Sequence, residues 1–251
     1  MEVVPGVHLV PGGRWSRMYL IEGETLTLVD SGLPWSHRSV LRYIRSLGRR
    51  PEELDTILTT HSHPDHTTGA LSISKRTGAR IVAHTADTRT HRNGEVSLSY
   101  MRVFTSLNLP LPFLQRAPVG ALVEDGDLLP KPGGIRMIHS PGHTRGSVCY
   151  LLEDRGVLFS GDTLFSDGQR LSRSVPFPGY DGRQYGQTLA RLSEIEFATV
   201  CGGHGAPLVG GASAKLRKLL REHPEPSSWG RFLTSLPRRL FQAGSLTGED
   251  H

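Results

Sequence analysis

The seven residues Thr60-His61-Ser62-His63-Pro64-Asp65-His66 constrain this chain more strongly than any other part of its sequence. They follow a short, β-branched apolar run that predicts a buried strand, and they precede a segment of helical character, 67–78, that ends in glycine. Because alternate residues of extended backbone point the same way, His61 and His63 share a side, and Asp65 and His66 follow at the helix entrance. Imidazole and carboxylate groups bind Zn²⁺, Fe and Mn, so this strand-to-helix turn predicts a metal site that could serve two ions.

Four further segments have a related character, because each places a potential ligand beside glycine after an apolar, strand-like run. Glycine allows a strand to end in a tight turn and lets the backbone approach an ion closely. One such segment is common in ordinary turns, whereas four of them strengthen the prediction of a metal site. They are Leu28-Val29-Asp30-Ser31-Gly32, Ser140-Pro141-Gly142-His143-Thr144, Phe159-Ser160-Gly161-Asp162-Thr163 and Cys201-Gly202-Gly203-His204-Gly205.

Taken together and in this order, the five segments resemble the five motifs of the metallo-β-lactamase superfamily, over about Val3 to Leu220. The resemblance implies an α/β fold, the four-layer αββα sandwich, in which two mixed β-sheets are flanked by helices and metal ions bind at one edge between the sheets. The order of strand-like and helical segments along the chain suits such a layered protein. We therefore predict one catalytic domain over residues 1–223.

The resemblance also implies two divalent metal ions per chain, with Zn²⁺ expected and Fe or Mn as alternatives. Asp30 matches a family carboxylate that orients a ligand rather than binding metal itself. Some relatives use a single ion, so one ion and two ions both remain open. Carried over residue by residue, the pattern assigns His61, His63 and His143 to the first ion, Asp65, His66 and His204 to the second, and Asp162 to a bridge between them.

The composition argues against several classes of partner. The net charge is +5, yet the basic residues are dispersed and form no long run with interleaved aromatics, so nucleic acid is not expected. No stretch is apolar over the roughly eighteen residues that span a membrane, and the N-terminus lacks the pattern of a signal peptide. We therefore expect a cytoplasmic protein without a membrane partner, in which Cys149 and Cys201 are buried thiols.

Two parts of the chain depart from the motif-bearing pattern. Residues 91–121 concentrate apolar side chains between prolines and predict a lid-like insertion over the substrate, with a satellite core or a dimer contact as alternatives. The tail, 224–251, carries apolar residues at roughly helical spacing. It predicts a segment that docks on the body of the protein or on a second copy, as in a homodimer, before fraying at its end.

The metal motifs imply a hydrolase that acts on a small molecule. Two divalent ions about 3.5 to 4 Å apart can share a water and lower its pKa toward about 7, which provides a metal-bridged hydroxide. Asp65 is the candidate catalytic residue, because it adjoins the bridging solvent in such sites and could carry a proton to the leaving atom. The sequence has no recognisable nucleophile elbow, so covalent catalysis is not expected. The expected reaction is hydrolysis of a lactone, thioester or related acyl bond.

The choice of substrate is less well defined by the sequence. The motifs around His143 and Asp162 look most like the type II glyoxalase branch, whose members cleave thioesters, although a glutathione-binding helical region is not evident after His204. Quorum-quenching lactonases are similar in motif order, but many carry tyrosine where Phe165 stands, which leaves Tyr180 or Tyr185 to support the carbonyl oxygen. The residues expected to contact the substrate are Phe165, Tyr100, Phe104 and Phe113.

Other functions remain open from the sequence. Some β-lactamases carry the same ligand set, so β-lactam hydrolysis as a side activity is an alternative, as is phosphodiester hydrolysis. The sulfur dioxygenase branch uses one iron, for which His61, His143 and Asp162 would be the ligands. A binding module that keeps the fold without turnover is a further alternative.

Overall fold

A computed structural model of the protein describes residues 1–13, 15–90, 96–98, 117–131, 133–176 and 179–223. Most of the predicted insertion at 91–121, including Tyr100, Phe104 and Phe113, lies outside the described residues, and so does the whole predicted tail at 224–251. The domain boundary at 223, the lid and the homodimer contact therefore stay predictions.

The first of two large β-sheets is built mainly from the N-terminal half of the chain. Its seven strands are β1 (Glu2–Val4), β2 (Val7–Leu9), β3 (Tyr19–Ile21), β4 (Leu26–Val29), β5 (Leu54–Leu58), β6 (Arg80–His84) and β9 (Ala121–Val123). They lie in chain order, with antiparallel pairing from β1 to β4 and parallel pairing from β4 through β5 and β6 to β9. A small hairpin, β7 (Thr88–Thr90) and β8 (Val96–Leu98), stands between β6 and β9 in the chain.

The second large sheet is built from the C-terminal half. Its six strands are, in spatial order, β10 (Leu128–Leu129), β11 (Ile135–His139), β12 (Val148–Leu152), β13 (Val157–Gly161), β16 (Thr199–Gly202) and β18 (Leu208–Val209). Only the pairing of β13 with β16 is parallel among these strands, so this sheet is mixed as well. A three-stranded ribbon, β15 (Leu171–Arg173), β14 (Leu164–Asp167) and β17 (Gly205–Ala206), adjoins it.

Helices cover the outer face of each sheet. The described helices are α1 (His37–Ser46), α2 (Pro64–Thr67), α3 (Ala70–Thr77), α4 (Gly182–Ser193) and α5 (Ala212–Glu222), with short 3₁₀ turns at Pro34–Ser36, Pro51–Glu53, Thr85–Asp87 and Glu153–Arg155. Helices α1 and α3 pack on the first sheet, and helices α4 and α5 pack on the second. None of the helices in the described ranges has the length and apolar character needed to cross a bilayer.

Three apolar layers separate the four layers of secondary structure. Alternate residues of a strand face opposite sides of a sheet. Leu20 and Leu28 therefore join Ile44 of α1 in the outer layer, whereas Tyr19 and Val29 face the second sheet. The middle layer is completed by strands β11 to β13 and β16, and the third layer lies beneath α4 and α5. The predicted αββα sandwich is confirmed.

The helix predicted after the histidine cluster is interrupted. The structure has the single turn α2, a break at Thr68 and Gly69, and then α3. A Cβ atom at Gly69 would lie 2.1 Å from the carbonyl oxygen of Ser31, and the Gly69 amide donates a hydrogen bond of 2.9 Å to Gly32. The helix is therefore interrupted at Gly69, where only glycine allows the two backbone segments to come this close. The periodicity of apolar residues gives no sign of this contact.

Candidate metal centre

The predicted metal ligands lie at strand ends along one edge of the sandwich. Asp30 directly follows β4, the histidine cluster follows β5, and Asp162 directly follows β13. His143 lies in the turn after β11, and His204 lies in the turn between β16 and β17. Because both sheets end at this edge, residues distant in the chain meet in one place.

Hydrogen bonds between the two sheets hold the edge together. The Val148 amide of the second sheet donates to the Thr60 carbonyl of the first at 2.8 Å, and the Tyr150 hydroxyl donates to the Thr59 carbonyl at 3.1 Å. In the opposite direction, the buried Tyr19 hydroxyl donates to the Gly202 carbonyl at 3.0 Å. These bonds position the turn with the histidine cluster against the turns with Asp162 and His204.

The seven side chains assigned to metal from the sequence form two adjoining groups. Within each group, the candidate ligand atoms all lie within 4.8 Å of one another. The first group is fully buried, whereas Asp65 and His204 of the second are partly exposed. The first group contains His61, His63, His143 and Asp162, and the second contains Asp65, His66 and His204.

Asp162 lies between the groups. Its Oδ2 atom is 3.4 Å from Nε2 of His143 in the first group and 3.3 Å from Nε2 of His204 in the second. Its Oδ1 atom is 3.3 Å from Nε2 of His66. One carboxylate therefore reaches both groups, as a bridging ligand must.

The distances between the candidate donor atoms are close to those between the ligands of a single metal ion. Atoms bound to Zn²⁺ at 2.0–2.1 Å in a tetrahedron lie about 3.3 Å apart. Nε2 of His143 is 3.0 Å from Nδ1 of His63, and Nε2 of His66 is 3.4 Å from Nε2 of His204. Nε2 of His61 is buried without a hydrogen-bond partner among the described residues, and its distance to Asp162 Oδ2 is 3.9 Å. A buried polar atom in that position costs free energy unless a ligand satisfies it, so the side chains fit a metal ion.

Burial keeps the imidazoles of the first group neutral, which is the form that binds a metal ion. It lowers the pKa of His61 well below the usual 6.5 and that of His63 to about 3, and it also lowers the pKa of His143. The three imidazoles are therefore neutral at neutral pH, with lone pairs available. Burial opposes ionisation of Asp162, but the surrounding histidines, His66 above all, hold its pKa well below the usual value.

The second group differs in its electrostatics. Burial lowers the pKa of His66, but Asp162, Asp30 and Asp65 together raise it well above 6.5. The pKa of His204 is raised as well, because the hydrogen bond and charge of Asp162 outweigh burial. A cation bound here would compete with protons, so its binding would release them.

Asp30 orients His66 from behind. Its Oδ2 atom accepts a 2.8 Å hydrogen bond from Nδ1 of His66 and another from the Thr60 hydroxyl, while Oδ1 accepts from the Thr60 amide at 2.8 Å. Because Nδ1 of His66 holds its proton toward Asp30, Nε2 is the atom that faces Asp162 and that a metal ion would bind. Asp30 has a φ of 57°, the only positive φ of a non-glycine residue in the described ranges, and such backbone strain is common at functional sites.

Two supports of the first group could not be predicted from motifs. Ser174, directly after β15, has its hydroxyl 2.7 Å from Nδ1 of His143, and its amide donates to the Tyr185 hydroxyl at 2.7 Å. Asp87 accepts hydrogen bonds from the Gly146 amide and the Thr144 hydroxyl, in the turn that carries His143. Burial raises the pKa of Asp87 to about 6. Ser174 has no glycine or histidine next to it in the sequence, so no motif identifies it as part of the site.

Two interpretations of individual side chains can be decided from the structure. Tyr185 is buried and donates its hydroxyl hydrogen to the Thr163 carbonyl, so the proposal that it supports a substrate carbonyl is wrong. Cys149 and Cys201 are buried free thiols, as predicted, and burial raises the pKa of Cys149 to about 11.

A cavity of about 830 Å³ opens above the two groups. His63, Asp65, His143, Asp162 and His204 form its floor, and Pro64 lies beside them. Phe165, predicted to contact substrate, lies in the wall with its ring perpendicular to the His204 ring, at a centroid distance of 5.2 Å. The other described residues of the wall, which were not predicted from the sequence, are Trp15, Leu33, Trp35 and Val175.

The chain is similar to known proteins in sequence and in structure. The model of the metallo-beta-lactamase superfamily matches residues 12–204. A hydroxyacylglutathione hydrolase of Cereibacter sphaeroides is 32% identical over 161 residues, which are 63% of this chain and 51% of the relative. The chain thus spans about half the length of that relative.

Solved structures resemble it over most of its length. A metallo-beta-lactamase family protein from Thermus thermophilus superposes with a TM-score of 0.67 at 24% identity, covering 89% of this chain and 81% of the other. TTHA1623, solved in a di-iron-bound form, superposes with a TM-score of 0.63 at 25% identity, covering 83% of this chain and 96% of the other.

Proposed function

This chain belongs to the metallo-beta-lactamase superfamily, and we propose that it is a metal-dependent hydrolase that cleaves a lactone, thioester or related acyl bond of a small molecule. One observation carries the proposal. The Asp162 carboxylate lies within 3.4 Å of histidine nitrogens of both ligand groups, directly beneath an open cavity.

Two divalent ions are the proposed cofactors. His61, His63 and His143 would hold one, Asp65, His66 and His204 the other, and Asp162 both. Zn²⁺ is proposed because neutral imidazoles and carboxylates are its usual ligands, with iron as the alternative because TTHA1623 was solved with two irons. When bound, such ions supply hydroxide near neutral pH and polarise the substrate carbonyl.

Asp65 is the proposed catalytic residue of the chain itself. Its carboxylate lies on the cavity floor, with Oδ2 3.5 Å from Nε2 of His66 and 3.7 Å from Nε2 of His204. A quarter of the side chain is exposed, so it is accessible to a substrate, unlike the buried Asp162. A carboxylate in this position can receive a proton from the attacking water and deliver it to the leaving atom.

The comparisons support an acyl substrate without identifying it. The relative is named for hydroxyacylglutathione, which is a thioester, but this chain covers only about half of that relative. We therefore propose an acyl bond as the bond that is cleaved, and we do not propose glutathione as part of the substrate. The apolar cavity wall also favours an acyl compound over a phosphodiester, whose charged group gains little from contact with aromatic rings.

The proposal is tested with the full chain loaded with Zn²⁺, Mn²⁺ or Fe²⁺ in parallel. Metal analysis after removal of unbound ions should give two ions per chain, and hydrolysis should be measured on lactones, thioesters, a chromogenic β-lactam and a bis-aryl phosphate. Cleavage of a lactone or thioester that is abolished by a chelator supports the proposal. One iron per chain with dioxygen uptake would favour the sulfur dioxygenase reaction instead, and no hydrolysis with any metal would refute the hydrolase.

A further inference from the structure

The cavity above the ligand groups has walls and a floor of different chemistry. Among the described residues, all of the polar side chains that line it lie on the floor, at His63, Asp65, His143, Asp162 and His204. The remaining lining residues in the described ranges are apolar. A ligand that matches such a cavity has one polar end at the floor and an apolar body along the wall.

The wall exposes large apolar side chains that a folded chain normally buries. Trp15 is 69% exposed, Trp35 is 58% exposed and Val175 is 39% exposed. Seven large apolar residues are exposed in the described ranges, and three of them line this one cavity. Exposed apolar side chains gathered at one place mark a binding site more often than scattered ones do.

The described part of the wall also offers no counter-charge to an acidic ligand. Among the lining residues that the structure describes, none is lysine or arginine, and the two acidic ones, Asp65 and Asp162, lie on the floor as candidate metal ligands. The peptide part of glutathione carries two carboxylates, which bind best to guanidinium or ammonium groups. A neutral chain suits this wall better than a charged peptide.

We infer that the substrate carries a neutral aliphatic chain next to the bond that is cleaved, and that Trp15 and Trp35 are the residues that select it. This inference rests on the proposed function, because the reactive bond must reach the floor. A volume of about 830 Å³ is far larger than a small lactone ring or an acetyl thioester needs, so it leaves room for the chain.

The first experiment measures kcat/KM of the zinc-loaded full chain on straight-chain thioesters of N-acetylcysteamine, with acyl groups of two to ten carbons. Each methylene covered by the wall should raise kcat/KM about twofold to fourfold, mainly through KM. The glutathione thioester of the same ten-carbon acid should be at least tenfold poorer than the neutral thioester.

Matched variants test the two tryptophans. Trp35→Ala and Trp15→Ala should each lower the ratio of kcat/KM between the ten-carbon and four-carbon substrates about tenfold. Trp35→Phe, which keeps an aromatic surface, should retain most of the ratio. Leu128→Ala removes an apolar side chain that is 61% exposed outside the cavity, and it should leave the ratio unchanged.

Tryptophan fluorescence provides a readout that does not need turnover. Methyl ketones of six to twelve carbons should shift the emission of the full chain, and their affinity should rise with length and fall in Trp35→Ala. If thioesters are cleaved but neither kcat/KM nor ketone affinity depends on length, the inference is wrong and the hydrolase stands. If the ketones bind by length but no acyl bond is cleaved, the binding wall is supported and the proposed function is wrong.

Discussion

Replacing Asp30 by Asn should weaken one metal site much more than the other. Asp30 accepts three hydrogen bonds, from the Thr60 amide, the Thr60 hydroxyl and Nδ1 of His66. Asn tolerates the left-handed backbone that Asp30 adopts, so the turn itself should be preserved. If the side-chain oxygen of Asn still accepts the hydrogen bond from the Thr60 amide, the side-chain NH₂ group takes the place of Oδ2. That group can only donate a hydrogen bond to Nδ1 of His66.

The consequence is a change of tautomer at His66. When a metal displaces one proton from this imidazole, Nδ1 would have to accept from Asn, so the remaining proton would lie on Nε2, which is the atom 3.3 Å from Asp162 Oδ1 and 3.4 Å from Nε2 of His204. A protonated Nε2 has no lone pair for an ion. Loss of such a supporting contact typically lowers metal affinity 10- to 100-fold, which is about 1.4 to 2.7 kcal/mol. The first group should change less, because His61 is linked to Asp30 only through the Thr60 hydroxyl.

The assay is a zinc titration of metal-free full chain against a chromogenic chelator, which resolves two dissociation constants. Asp181→Asn is the matched control. Asp181 caps helix α4 by accepting from the amides of Arg183 and Gln184, and Asn is an equally good cap. The tautomer argument would be refuted if Asp30→Asn left both constants within about threefold of the parent, or weakened both equally.

The remaining predictions concern the proton carrier, the bridge and a buried acid. Asp65→Asn should lower kcat at least about 100-fold with the circular dichroism spectrum unchanged, and an active variant would remove Asp65 from the chemistry. Gly203→Ala places a Cβ atom 2.3 Å from Asp162 Oδ1 and 2.6 Å from His66 Cε1, so bound zinc should fall from two ions to about one ion per chain, whereas Gly186→Ala, whose Cβ atom would meet none of the described residues within 4 Å, should keep two. The pKa of Asp87 is about 6 in the folded protein against a usual 3.8, so the folded state holds this proton more tightly and loses stability as pH rises from about 4 to 6. Urea unfolding in the presence of a chelator should therefore show wild type losing up to about 3 kcal/mol relative to Asp87→Asn across that range, and a constant difference would contradict the assignment.

Local patterns were sufficient to predict the parts of the fold that depend on neighbouring residues. The β-branched run before His61 is strand β5, and the alternation of Leu20 and Leu28 with Tyr19 and Val29 reflects the two faces of the first sheet. The candidate ligands could be named because each one stands in a short segment with glycine or histidine beside it, and because the five segments together resemble the motifs of a known family. Their convergence is a property of the sandwich, since every segment ends a strand at the same edge.

Contacts between distant segments could not be predicted in the same way. Ser174 lies 31 residues from His143 and has an ordinary sequence context, so only the path of the chain after β15 brings its hydroxyl to the imidazole. The same is true of Trp15 and Trp35, which are twenty residues apart in the chain and are brought together only by lining the same cavity. The break at Gly69 arises from contact with the backbone of Ser31, which helical periodicity does not detect.

The hydrogen bonds from Val148 to Thr60 and from Tyr19 to Gly202 tie the two sheets together beside the candidate ligands. Each ligand group likewise draws on both halves of the chain. An ion that binds only this assembled arrangement stabilises the folded chain by about 1.4 kcal/mol for each tenfold excess over its dissociation constant. That free energy would be lost if either half unfolded alone, so a loaded centre makes the halves melt as one cooperative unit.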